Sequence, residues 1–140
     1  MLSRVQDNVA VLRRCYREWV VCQGRDGTMW LEIIGDDFHF GSAGAGRRRP
    51  GYFRESTTRD DLQAYFEGLA RDWKMIEYRT DEFIAQGDSV VMRGFCEWEY
   101  RRTGKRVACV KFDYWRFEEG CVVEFYESFD TAGMMAAMEP

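Results

Sequence analysis

GDSVVMRGFCEWEYRRTGKRVACVKFDYWRFEEGCVVEFYESFD, Gly87–Asp130, holds three runs rich in Val, Phe, Trp and Tyr, near Ser89–Tyr100, Lys105–Phe117 and Cys121–Phe129. The glycine-bearing turns Arg101–Gly104 and Glu118–Gly120 separate them. β-branched and aromatic runs bounded by such turns predict three consecutive antiparallel strands, a meander.

Turn length fixes which side chains share a face. A four-residue loop Arg101–Gly104 pairs Tyr100 with Lys105, then Glu99 with Arg106, Trp98 with Val107, Cys96 with Cys109, Gly94 with Lys111 and Met92 with Asp113. The Glu99–Arg106 charge match supports that register. A three-residue loop Glu118–Gly120, with Gly120 left-handed, sets Phe117 opposite Cys121, Asp113 opposite Phe125 and Lys111 opposite Glu127. One face then collects Met92, Cys96, Trp98, Cys109, Lys111, Asp113, Trp115, Phe125, Glu127 and Phe129. The other carries Phe95, Glu97, Val110, Phe112, Tyr114 and Tyr126. A two-residue second turn would instead flip the last strand and move Glu127 outward, because strand side chains alternate.

At 140 residues the chain is expected to form one domain, able to bury about two-thirds of its unfolded surface. A formal net charge of −4 argues against nucleic acid as a partner. The five cysteines are odd in number and show no C-x-x-C spacing, which fits a reducing cytoplasm better than a disulfide framework. Cys96 opposite Cys109 is the one pair to watch. No long apolar run and no apolar signal core occur, so neither a membrane nor secretion is expected.

Upstream, Ser3–Gln6 is a capping-box pattern, and Val5, Val9, Leu12, Tyr16 and Trp19 or Val20 recur at helical spacing to about Cys22. Thr28–Ile34 reads as a short second helix. Asp37–Ser42 alternates as a strand with Phe38, Phe40 and Ser42 on one side and His39 on the other. The glycine-rich segment GSAGAGRRRPG follows, with the basic run Arg47–Arg49, and its pattern does not suit a phosphate-binding loop. A third helix is expected from the Ser56–Thr58 cap through Leu62, Tyr65, Phe66, Leu69 and Trp73, then a long strand, Lys74–Ala85. Asp130 can cap a last Met-rich helix, Thr131–Met138.

This order of elements resembles the SnoaL-like and ketosteroid-isomerase-like proteins of the NTF2-like superfamily. The local matches are RRCYREWV, IIGDDFHF, FIAQGDSVVMRG and KFDYWRFEEGCVVEFYESFD. The resemblance implies an α+β, cystatin-like cone: a curved, mostly antiparallel sheet wrapped round three helices, with an apolar pocket and a homodimer through the outer sheet face. Carried over by position, Tyr16 matches the tyrosine that donates to an enolate oxygen in the isomerases, and Asp113 matches the protonated aspartate beside it. The isomerase general base falls on Ser42. Glu127 instead matches an acidic position of SnoaL-type polyketide cyclases.

The expected catalytic set is therefore Tyr16, Asp113 and Glu127. Phe38, Phe40, Ser42, Phe66, Trp98, Lys111, Trp115, Phe125 and Phe129 form the expected ligand-binding wall. A carboxyl enclosed by Trp98, Trp115 and Phe125 favours its protonated form, whereas Lys111 two residues away favours the ion. Glu127 is open to two readings, a base or half of an ion pair with Lys111. No His, Cys and carboxylate cluster has metal-ligand spacing, so neither metal nor cofactor is expected. Three functions fit: an isomerase or cyclase that moves a proton on an apolar ketone or enol, a binder of an apolar small molecule, or a dimeric association module.

Overall fold

The computed structural model describes residues 3–42 and 55–140, so most of the glycine-rich segment and Arg47–Arg49 lie outside the described residues. Helix α1, Arg4–Val21, starts at the expected capping box: Gln6 donates its amide to Ser3 Oγ at 3.2 Å, and Gln6 Oε1 accepts from the Ser3 amide at 2.9 Å. Leu12, Cys15, Tyr16 and Trp19 are its buried stripe, and Val20 faces out. Helix α2 is Thr28–Ile33, and strand β1 is Ile34–Ser42, starting earlier than the Asp37 expected. Helix α3, Arg59–Asp72, is capped by Thr58, whose side chain accepts from the Asp61 amide. Trp73, expected to end that helix, instead begins strand β2, Trp73–Gln86.

Strands β3, Ser89–Tyr100, β4, Arg106–Glu118, and β5, Cys121–Ser128, are the meander. Helix α4, Thr131–Met138, follows, with Asp130 accepting from the Gly133 amide, and it packs against β3 and β4. The sheet order is β1-β5-β4-β3-β2; β1 runs parallel to β5 and the other pairs are antiparallel. A curved, unclosed sheet thus backs the helices, and the core lies between them.

The β3–β4 register matches the expectation, from Glu99 opposite Arg106 to Met92 opposite Asp113. The β4–β5 register does not. The turn has two residues, Glu119 and Gly120, both at positive φ as a tight hairpin turn requires, so Glu118 rather than Phe117 faces Cys121. One residue beyond, a bulge adds Val123 on β5, and from Arg116–Glu124 onward Asp113 stands opposite Glu127, not Phe125. A two-residue turn alone would have turned Glu127 outward. The extra residue restores the parity, which is why Phe125 and Glu127 still face inward.

Strand β2 carries two more irregularities, between Met75 and Glu77 and between Thr80 and Glu82. The first lets Met75 and Tyr78, three residues apart, both point into the core. The second lies against Gly94, where a Cβ would sit 2.3 Å from the Arg79 carbonyl oxygen. Only glycine permits that approach.

Candidate functional site

Five elements deliver polar side chains into the aromatic core. α1 brings Tyr16, α3 Tyr65, β2 Tyr78, β4 Lys111 and Asp113, and β5 Glu127. The two carboxylates are cross-strand partners, with Asp113 1% and Glu127 7% exposed. Lys111 Nζ lies between them, 3.4 Å from Asp113 Oδ1 and 3.2 Å from Glu127 Oε2, and donates to Tyr78 Oη at 3.2 Å. Lys111 sits beside Asp113 Oδ1 without the alignment of a hydrogen bond, so the attraction there is chiefly that of charge.

The tyrosines complete the network. Tyr16 donates to Asp113 Oδ2 at 2.6 Å and accepts from Trp115 Nε1 at 2.9 Å. Its only proton is engaged with a carboxylate, so Tyr16 and Asp113 stand as donor and acceptor to each other rather than side by side toward a ligand. Tyr78 reaches the same Asp113 oxygen at 3.5 Å, and Tyr65 donates to Glu127 Oε1 at 3.1 Å.

Burial raises the Asp113 carboxyl above its ordinary value; Lys111 and the Tyr16 hydrogen bond pull it back, and Glu127 adds to the rise. Burial on its own would lower Lys111, but Asp113, Tyr78 and Glu127 hold it well above the usual lysine value. Two carboxylates compete for one ammonium, which reconciles a raised acid with a raised base in the same cluster. Burial also lifts the Tyr16, Tyr65 and Tyr78 phenols well above the usual tyrosine value, so all three are donors at neutral pH.

Two spaces open onto this cluster. The deeper, about 40 Å³, is walled by Tyr16, Trp30, Asp113, Trp115 and Phe125 among others, and by Lys111 and Glu127. The larger, about 70 Å³, lies between Trp98, Cys109, Phe129, Met134, Lys111 and Glu127. Trp98, Cys109 and Phe129 are only partly buried, whereas Tyr16, Trp30, Asp113 and Trp115 are almost wholly enclosed. Lys111 and Glu127 border both spaces, whereas Asp113 borders only the smaller.

Of the residues expected in the wall, Phe40, Phe66, Trp115 and Phe125 border the deeper space, Trp98 and Phe129 the larger, and Lys111 both. Phe38 and Ser42 border neither. Phe38 is buried edge-on against Phe40, and Ser42 pairs with Glu127 in the β1–β5 ladder. Their alternation on β1 is as expected, with Phe38 and Phe40 buried and His39 on the other side. His39 faces the outer side as expected, its Nδ1 3.0 Å from Tyr126 Oη and its Nε2 3.2 Å from Glu55.

Sequence reasoning missed Tyr65, Tyr78, Trp19 and Trp30 as site residues. Tyr65 lay on a recognisable helix face, but nothing in the sequence pointed it at Glu127. Tyr78 is hidden by the bulge, since plain alternation from Trp73 and Met75 would place Glu77 inward. Trp30 stacks on Trp115 with ring centres 5.1 Å apart, from a helix too short to show a periodic face.

A family model for the SnoaL-like domain matches residues 12–125. Among solved structures, an NTF2-like protein from Burkholderia thailandensis E264 superposes with a TM-score of 0.79 at 23% identity, over 100% of each chain. A protein from Jannaschia sp. CCS1, provisionally named a SnoaL-like polyketide cyclase, gives 0.75 at 17% identity over 100% of this chain and 99% of its own. TerC, co-crystallised with polyporic acid, gives 0.77 at 19% identity over 96% and 99%. No functionally curated protein matches the sequence. At these identities the structural likenesses establish the fold, which is NTF2-like, and nothing about the reaction.

Proposed function

Since this chain belongs to the SnoaL-like domain family, we propose that its cavity takes an apolar ketone or enol and that Glu127 moves a proton on it. The observation that carries this reading is the position of Glu127: a buried carboxylate held by Lys111 and Tyr65 at the boundary of both spaces. A base must reach the proton it abstracts, and of the two carboxylates only Glu127 borders both spaces. Lys111, with its ammonium beside Glu127, is placed to stabilise an enolate oxygen. Tyr16 and Asp113 contribute as a buttress that fixes Lys111, and donate to the ligand only if their mutual bond opens.

The test uses single-ring aryl ketones, acetophenone among them, in deuterated water, following hydrogen-to-deuterium exchange at the carbon beside the carbonyl by NMR. Wild type should accelerate exchange, and Glu127→Gln should remove the acceleration while the melting temperature stays nearly unchanged. Equal loss of stability and exchange would leave Glu127 a structural residue only.

A second reading, an apolar binding protein without turnover, draws on the satisfied state of the network: Tyr16 and Tyr65 both already donate to carboxylates. Native mass spectrometry of freshly purified protein would then show a retained small molecule that Glu127→Gln also retains.

We further propose a homodimer through the outer sheet face. Val110, Phe112 and Tyr126 are 55%, 47% and 42% exposed there, an apolar patch that a second copy would cover. Sedimentation should show a dimer at micromolar concentration and a monomer for Phe112→Arg; a wild-type monomer would end this part of the reading. A cytoplasmic location is in keeping with the five free thiols.

A further inference from the structure

The larger space has a second chemistry on its wall. Cys96 on β3 and Cys109 on β4 are direct register partners, and both border it beside Trp98 and Lys111. Partners across an antiparallel pair have Cα atoms about 4.5–5.5 Å apart, inside the roughly 4.4–6.8 Å range that a disulfide spans. Both thiols are free. We propose that Cys96 and Cys109 form a two-cysteine redox site that closes to a disulfide when a hydroperoxide enters this cavity.

The surroundings divide the labour between the two sulfurs. A hydrogen bond from Cys96 is the main cause that pushes the Cys109 thiol down to about 6, with further help from the Asp130 backbone amide and the Lys111 ammonium, and against burial and the Asp130 carboxylate. The same hydrogen bond, together with burial, pushes Cys96 far up. The lowered thiol forms the thiolate more readily, so Cys109 is the nucleophile and Cys96 the resolving thiol. Cys109 is also the less buried of the two. A low-pKa, reachable thiolate beside a resolving thiol is the arrangement that peroxide oxidation selects.

The other cysteines lack this geometry. Cys15 is wholly buried and its thiol points to the Met29 carbonyl, the Cys22 thiol lies within reach of the Trp19 and Asp26 carbonyls, and exposed Cys121 stands opposite Glu118.

The steps balance. The Cys109 thiolate attacks the terminal peroxide oxygen, the O–O bond breaks, and alkoxide, or hydroxide from hydrogen peroxide, leaves to take a proton as alcohol or water. The resulting Cys109 sulfenic acid is attacked by the Cys96 sulfur; the S–O bond breaks, and the departing hydroxide carries off the Cys96 proton as water. The dithiol loses two electrons and the peroxide gains them. Closing the bridge removes the thiolate charge near Lys111 and ties β3 to β4 in the cavity wall.

The experiment treats the whole wild-type protein at pH 7 with one equivalent of hydrogen peroxide, blocks remaining thiols with iodoacetamide and maps peptides without reduction. The expected product is a chain lighter by two hydrogen atoms and not cross-linked to a second, with Cys96 linked to Cys109. With limiting iodoacetamide at pH 7, Cys109 should be alkylated faster than Cys96. Cys96→Ser should stop the reaction at a Cys109 sulfenic acid that dimedone traps. Oxidation confined to Cys121, or a protein that stays folded with Cys96 and Cys109 both as thiols, would overturn the proposal.

Discussion

Asp113 and Glu127 are the same chemistry in two settings. They stand opposite each other on neighbouring strands and share Lys111. Around Asp113 the structure closes: Tyr16 donates to it, Trp115 donates to Tyr16, and Trp30 stacks over Trp115. Around Glu127 it opens toward the larger space, bordered by the partly buried Trp98 and Phe129. The difference teaches that burial of a carboxylate and access to it are separate properties. The deep half holds Asp113 in a closed hydrogen-bonded set, and the proposed proton transfer belongs to the half around Glu127.

The largest effect expected from this contrast is on Lys111. Replacing it with Met leaves two buried carboxylates without their cation and should cost about 3–5 kcal/mol in urea unfolding. A loss no greater than that of a surface substitution would mean that the cluster is wetter than its burial suggests.

Tyr16→Phe comes next, because it orphans the Trp115 indole and leaves Asp113 Oδ2 with only the long Tyr78 contact. We expect a loss of about 1–3 kcal/mol in the same measurement, with any ketone exchange largely kept. Tyr65→Phe should cost less stability, about 0.5–1.5 kcal/mol, since Glu127 retains Lys111. Its effect on exchange should exceed that of Tyr16→Phe. The opposite order would move the reacting carboxylate to the deep half.

The smallest expected effect is a slope with pH. A carboxyl whose folded pKa lies above its unfolded value gives stability that is present in acid and lost as pH rises through the folded pKa. Asp113 therefore weighs against folding at neutral pH relative to acid. Asp113→Asn should gain on wild type in unfolding free energy as pH rises from the ordinary carboxylate range toward neutrality. A difference that is flat across that window would place Asp113 in an unperturbed state.

Much of this arrangement was legible in the sequence where local rules decide geometry. The length of the Arg101–Gly104 turn set the whole β3–β4 register, and with it the shared face of Cys109, Lys111 and Asp113. The Ser3 cap and the Asp130 cap likewise act within a few residues. What escaped depends on irregularities that alternation cannot carry. The bulge at Val123 changed the partner of Asp113 while leaving faces intact, and the break near Ile76 brought Tyr78 inward. The pairing of Tyr65 with Glu127 joins residues far apart in the chain, and only the packing of α3 on the sheet creates it.

The most direct test asks which carboxylate meets a ligand. Protein carrying ¹³C-labelled side-chain carboxyls is titrated with an aryl ketone that undergoes exchange, the signals being assigned by their loss in Glu127→Gln and Asp113→Asn. The Glu127 resonance should move with saturation while that of Asp113 stays nearly fixed. Movement of Asp113 with Glu127 unmoved would contradict the account.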